Sequence, residues 1–435
     1  MALGMGQTLH RAWAWLAEGR RTVIVLFALA LGLRALAILA AVEPTSDAAW
    51  YFSRADLLAR GCGYLGDFSA PTAYWPPGWP LALSVVFSHT GASIWAVGLF
   101  NLVLSALAGW LTLDLGRRIG GSEAAGRVAL LLWAVYPNAV LYVPLALTEV
   151  FYTTLLLTLC WIVVARDGWG WTLLAGLVLG LATLVKAQSL IVAPLLLAIV
   201  WLRRPSPWRR PPGVIGQGLV MAAAAALVIA PWTLRNHREL GAWVLVSTNG
   251  GITLLTGNND SARGGFTPDD PVVKALDART DLNELAYDRE AGRLGMDWIK
   301  AHPVRFLTLM PMKLARLWGP DGEGQWAYET GSWAFAAAPH AFLALRLANQ
   351  AWYWALLALF VAAFPVMIRA RRRAGLGLVD WWLLPYGIAA YPSLIAVVFS
   401  GQSRFHYPAM PFVCIMAAWL IARLLLARDR AAALR

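Results

Sequence analysis

Residues 20–47 read RRTVIVLFALALGLRALAILAAVEPTSD: two arginines, an apolar run from Thr22 to Val42, and a polar exit that ends in Asp47. A run of about 20 apolar residues is long enough to cross a bilayer as a helix, and a cationic pair on one flank orients it. Ala40-Ala41 lends the run a likeness to a signal peptide. Its length, and the many apolar segments after it, mark it instead as a retained span. Arg34 lies in the middle of that span, where an unpaired charge is costly, so it has to face the bundle or water and calls for a partner.

Hydrophobic residues make up 59% of the 435 positions and charged residues 14%, a balance that makes the bilayer the main solvent. The formal charge of +12 does not point to nucleic acid, because the arginines fall between apolar runs instead of forming one basic face. Cys62, Cys160 and Cys414 are too few and too scattered for a disulfide framework or a zinc site.

Apolar runs give about ten spans, at 22–42, 93–116, 125–143, 147–165, 169–186, 189–202, 213–232, 343–367, 379–399 and 408–427. Arg20-Arg21, Arg117-Arg118, Arg166, the Arg203-Arg204 to Arg209-Arg210 loop, Arg369 to Arg373, and Arg428 with Arg430 then share one side if both termini are cytoplasmic. The expected fold is an all-α polytopic membrane protein with interfacial helices in its first outer loop and a small outer-side subdomain. Its parts are an N-terminal membrane module over 1–232 that includes the outer loop 43–92, an outer segment over 233–342, and C-terminal membrane helices over 343–435.

The first outer loop holds Asp47 to Arg60, an interfacial helix whose Trp50, Tyr51 and Phe52 suit the headgroup layer. Tyr74-Trp-Pro-Pro-Gly-Trp-Pro80 follows and opens an apolar piece that ends near Gly91, too short for a span and read as re-entrant or interfacial. The second outer segment carries nine acidic residues between Asn258 and Lys300, a cap-like Asp281-x-x-Glu284, and an amphipathic stretch from Pro303 to Trp318. No internal repeat is visible, which tells against a transporter built by inverted duplication.

Ionisable groups at span ends on the outer side are where chemistry is sought, since burying them without purpose is costly. These are Asp47, Glu149, Lys186, Arg235, and Arg404 with His406. Asp47 serves as a helix N-cap, as a catalytic carboxylate, or as both. Glu149 complements the positive end of a helix dipole or belongs to an active site. Lys186, Arg235 and Arg404 are cations on the minority side, suited to snorkelling, to headgroup contact or to a lipid phosphate. No His pair at helical spacing, EF-hand run, Walker lysine, Gly-x-Gly-x-x-Gly turn or Gly-x-Ser-x-Gly elbow occurs, so no cofactor, nucleotide or metal is indicated.

The order of these pieces resembles the polyprenyl-phosphate-dependent glycosyltransferases of the C superfamily (GT-C), in particular the dolichyl-phosphate-mannose protein mannosyltransferase and aminoarabinose transferase branch. The stretches that carry the resemblance are Ser46-Asp47 with Tyr51 and Ala55, Tyr74 to Pro80, Thr148-Glu149, Leu181 to Leu190 around Lys186, Pro231 to Asn236, Ser247 to Gly251 with Gly257-Asn-Asn259, and Ser403 to Pro408. The resemblance implies inverting transfer of a sugar from a polyprenyl-phosphate carrier to an acceptor hydroxyl of a lipid, glycan or protein, on the outer face of the cytoplasmic membrane. It implies Asp47 as general base and Lys186 and Arg404 as holders of the carrier phosphate; the residues themselves add Glu149 as a second catalytic candidate and His406, Arg235 and Tyr74 as further carrier-binding candidates. Two departures stand out: some relatives have a lysine just before the double proline where this chain has Trp75, and the outer soluble region is short. A transporter or flippase of lipid-linked sugars, and a noncatalytic scaffold, are the rival readings.

Overall fold

The structure is a computed structural model that describes residues 16, 19, 21–66, 69–203 and 211–433, without the side chains of 211–212 and 426–433. Arg20, Arg204, Arg209 and Arg210, and the side chains of Arg428 and Arg430, therefore lie outside the described residues.

Among the described residues every regular element is helical. In chain order they are α1 (Thr22–Ile38), α2 (Asp47–Ala59), α3 (Gly78–Thr90), α4 (Ile94–Gly120), α5 (Glu123–Ala134), α6 (Pro137–Leu141), α7 (Glu149–Ala165), α8 (Trp169–Val185), α9 (Val192–Leu202) and α10 (Pro211–Leu240). Then come α11 (Gly250–Gly257), α12 (Pro271–Asp277), α13 (Glu284–Ala301), α14 (Pro303–Trp318), α15 (Trp326–Gly331), α16 (Trp333–Ala337), α17 (Pro339–Arg373), α18 (Leu384–Val398) and α19 (Met410–Ala433). Ile94–Gly120, Gly213–Leu240, Pro339–Arg373, Trp381–Val398 and Ser403–Leu425 are long and apolar enough to cross a membrane, while Thr22–Ile38, Glu149–Ala165, Trp169–Val185 and Ala187–Leu202 are apolar but shorter. The chain is an all-α polytopic membrane protein.

The expected span at 125–143 is instead two helices, α5 and α6. Pro137 cannot continue a helix, and Tyr136 before it is extended at φ −69° and ψ 111°. Arg34 closes the break from the other side: its guanidinium donates to the carbonyls of Ala134 and Trp133 at 3.1 Å each, and to Ala30 at 3.0 Å. The mid-span cation thus caps carbonyls that α5 leaves without partners.

Small residues let the bundle close. A Cβ on Gly176 of α8 would stand 2.6 Å from the Cβ of Ala224 on α10, and one on Gly180 would stand 2.7 Å from the Cβ of Val228. This small-x-x-x-small face brings the two backbones together where hydrophobicity alone gives no preference between helix and lipid. Gly180→Leu is expected to destabilise the protein by about 1–3 kcal/mol through overpacking. Thermal unfolding in detergent, followed by circular dichroism, checks this; an unchanged midpoint would remove the close approach from the account.

At one end of the bundle Asp380 joins two of the cations expected to share a side, accepting from Arg203 Nε at 2.5 Å and Arg371 Nη2 at 3.2 Å. The other end carries the loops. There α2 and α3 are the two short helices expected between the first spans, α3 opening behind Pro77 and closing at Gly91, whose φ of 75° suits glycine. The helix α13 does not begin at the Asp281-x-x-Glu284 box. Asn283 is the N-cap, accepting from the Ala286 amide at 2.9 Å, and Asp281 is drawn off by Arg279 at 2.6 Å. Glu284 works instead as a tie, taking the Thr72 hydroxyl at 2.5 Å, the Ala73 amide at 2.9 Å and the Thr248 hydroxyl at 2.6 Å. It thereby fastens the loop before the double proline to the segment over 233–342.

The amphipathic stretch is α14, with Leu309, Lys313 and Leu317 buried along one face. Lys313 donates to Asn258 Oδ1 at 2.7 Å and to the Val398 carbonyl at 3.2 Å, which finishes α18. Burial pushes its ammonium down to about 8.

Candidate active site

Asp47 is the first residue of α2, behind Ser46, whose φ of 50° is unusual for a non-glycine residue. Its carboxylate does not cap the helix. Oδ2 accepts from Arg404 Nη1 at 2.6 Å, a contact between residues 357 positions apart. Arg404 rides on a 3-10 helix, Ser403–Ala409, that leads into α19.

A second pair stands beside the first. Lys186 ends α8 in an extended conformation, and its Nζ lies 3.6 Å from Glu149 Oε1 at the start of α7. One ring joins the pairs: Phe405 has the Arg404 guanidinium 5.4 Å and the Lys186 ammonium 5.3 Å from its centroid. Side-chain exposure falls from 23% at Asp47 and 18% at Arg404 to 14% at Lys186 and 2% at Glu149. Asp47 and Arg404 therefore form the open edge of the cluster, and Glu149 its floor. As it stands, two carboxylates balance two cations.

Three expected residues lie outside this cluster. Tyr74 packs with Leu282, Tyr287 and Leu294 over the small core of Ile252, Leu255, Val273, Leu276 and Ala291; burial, with the charges of Asp277 and Asp288, pushes its hydroxyl up to about 12. Arg235 spends its terminal nitrogens on loop carbonyls, Thr72 at 2.6 Å and Tyr64 at 2.7 Å. His406 is fully buried, stacked between Trp318 and Tyr353. Its Nδ1 meets the Leu317 carbonyl at 2.5 Å and its Nε2 meets Asp321 Oδ1 at 3.0 Å.

Asp321 and its neighbour Glu323 were not singled out in the sequence. Asp321 has no exposed side-chain surface and accepts four side-chain bonds: Tyr136 at 2.6 Å, Asn138 at 2.7 Å, Asn349 at 2.9 Å, and His406. Two residues on, Glu323 Oε2 accepts from the Arg404 amide at 3.2 Å and the Ser403 hydroxyl at 3.3 Å. The loop between α14 and α15 thus grips the turn that presents Arg404. The signal in the sequence is Gly319-Pro-Asp-Gly322, a turn pattern that announces a loop but not its partners. Among the described residues no three His, Cys, Asp or Glu side chains gather for a metal ion.

This architecture shares its fold with a solved archaeal oligosaccharyltransferase. The Archaeoglobus fulgidus oligosaccharyltransferase in its apo form superposes at a TM-score of 0.56, with 13% identity, over 97% of this chain and 53% of that one. The archaeal oligosaccharyltransferase AglB from the same organism, in complex with an inhibitory peptide and a dolichol-phosphate, gives 0.53 with 13% identity over 95% and 51%. ArnT from Cupriavidus metallidurans bound to undecaprenyl phosphate covers 95% of this chain and 80% of its own at 14% identity, with a TM-score of 0.43, below the level at which a shared fold is read. The chain spans about half the length of the oligosaccharyltransferase it matches. Within the fold class, the family whose sequence model matches is dolichyl-phosphate-mannose-protein mannosyltransferase, over residues 75–234. No curated protein matches the sequence.

Proposed function

We propose that the protein transfers one sugar from a polyprenyl-phosphate carrier to an acceptor hydroxyl on the outer face of the cytoplasmic membrane, with inversion at the anomeric carbon. The observation that carries this reading is the junction of Asp47, Arg404, Lys186 and Glu149 around Phe405 at the loop-bearing end of the bundle. A phosphate competes with Asp47 for Arg404, since a guanidinium grips phosphate with its planar fork. Once Arg404 turns to the carrier, Asp47 is released to take the acceptor's proton. The acceptor oxygen then bonds to the anomeric carbon while the carbon to phosphate-oxygen bond breaks. The electron pair leaves on the carrier phosphate, where Arg404 and Lys186 meet the growing charge. Glu149 acts through Lys186, holding the ammonium toward Phe405. Arg235 and His406 serve as fasteners of the two loops that frame the site.

The test is mass spectrometry of lipids and envelope glycans from cells lacking the protein. A polyprenyl-phosphate sugar is expected to accumulate and one glycan residue to disappear, with wild-type protein restoring both and Asp47→Asn neither. Restoration by Asp47→Asn would favour a flippase, which needs no proton acceptor.

A further inference from the structure

Trp75 has no place in the chemistry above, yet its segment touches both helices that lead to it. On α2, Tyr51 follows Asp47 by four residues and so lies on the same face of the helix. The Tyr51 ring stands edge-on to Trp75 with centroids 5.9 Å apart. Three residues after Trp75, Gly78 presses on α8: a Cβ there would fall 2.7 Å from the Leu184 carbonyl carbon and from a Val185 methyl, the two residues that precede Lys186. The indole thus touches the helix that begins with Asp47, and the backbone three residues after it packs on the helix end that leads to Lys186.

It is also held still. The Tyr64 hydroxyl donates to the Trp75 carbonyl at 3.0 Å, Glu284 pins Thr72 and Ala73, and Pro76-Pro77 fix the backbone that follows. Trp50 and Tyr74 close around it at 6.2 and 5.5 Å between ring centroids. Tyr51 is buried but Trp75 is half-buried, so part of its ring stays open. Trp75 shares this partial exposure with Trp50 and Tyr74, and through Tyr51 the cluster touches the helix that begins with Asp47. An indole carries no charge with which to hold a phosphate. Its face does offer a rigid apolar surface, which suits the C–H face of a pyranose.

We propose that Trp75, backed by Tyr51 and Tyr74, is the wall on which the carrier-borne sugar rests, so that the protein prefers a glycosylated carrier to the bare one. This rests on the donor reading above and adds to it a specificity determinant for the sugar. In nanodiscs, a fluorescent undecaprenyl phosphate analogue is displaced with undecaprenyl phosphate or with its glucosyl, mannosyl and galactosyl forms. Wild-type protein is expected to bind at least one glycosylated form about tenfold more tightly than the bare carrier, the worth of one good aromatic contact. Trp75→Leu brings the two affinities to within about twofold while leaving the bare carrier's unchanged, and Trp75→Phe keeps most of the preference. A preference that survives in Trp75→Leu, or an equal loss for the bare carrier, overturns the proposal. Wild-type protein that binds no carrier sinks the donor reading itself, whereas wild type that binds bare and glycosylated carriers alike sinks only the wall.

Discussion

Asp47→Asn is expected to lower sugar transfer by about 10²- to 10⁴-fold, the usual worth of a positioned general base, without disturbing the fold. The amide is isosteric, and Asp47 sits at the start of a helix it does not cap, so the backbone has no reason to move. Loss of the carboxylate does change one equilibrium. Arg404 no longer has a charged partner at 2.6 Å, so the bare carrier is expected to bind as tightly as before or more tightly. Arg404→Ala has the opposite profile: donor binding weakens and acceptor binding stays. Turnover by purified protein, set beside displacement of a labelled carrier, separates the two variants. Asp47→Asn that retains turnover removes Asp47 as the base, and one that loses both turnover and carrier binding marks a structural ion pair.

The membrane architecture was legible because its signals are one-dimensional. A long apolar run such as Ile94 to Gly120 needs no partner to be read, and Arg203 and Arg371 fall on one side by counting alone. Counting gives depth in the bilayer, which is why Asp47, Glu149, Lys186 and Arg404 could be shortlisted as span-end charges. It does not give azimuth. His406 is two residues from Arg404, but in a 3-10 helix of three residues per turn that offset points the side chain two-thirds of a turn away, toward Trp318 and Asp321. Arg235, another span-end charge by sequence, is spent on the carbonyls of Tyr64 and Thr72. Phe405 joins the two ion pairs, but an aromatic residue carries no sequence signal for a partner of that kind. The Asp281-x-x-Glu284 box failed for a related reason: a tertiary demand, the tie to Thr72 and Thr248, claimed the glutamate that a local cap would have used.

Asp321→Ala is expected to be the most destabilising single change, because it strands a buried network instead of deleting one contact. The carboxylate collects donors from four places: Tyr136 before α6, Asn138 within it, Asn349 on α17 and His406 ahead of α19. Removing it leaves those donors buried without an acceptor, a cost of about 3–5 kcal/mol for one partner of a buried charged cluster. Asp321→Asn keeps part of the acceptor capacity and should lose less. The chain supplies its own reporter, since Cys160 and Cys414 are buried while Cys62 is exposed. A thiol-reactive dye should label Cys62 at once and the other two only on unfolding, at a markedly lower temperature in Asp321→Ala than in wild type. Below that temperature the effect should reach the site as well, because Glu323, two residues on, holds the amide of Arg404. In Asp321→Asn we expect carrier binding to weaken while acceptor binding holds. A variant that melts early yet binds the carrier at full strength would show that the knot braces the bundle without aiming the arginine.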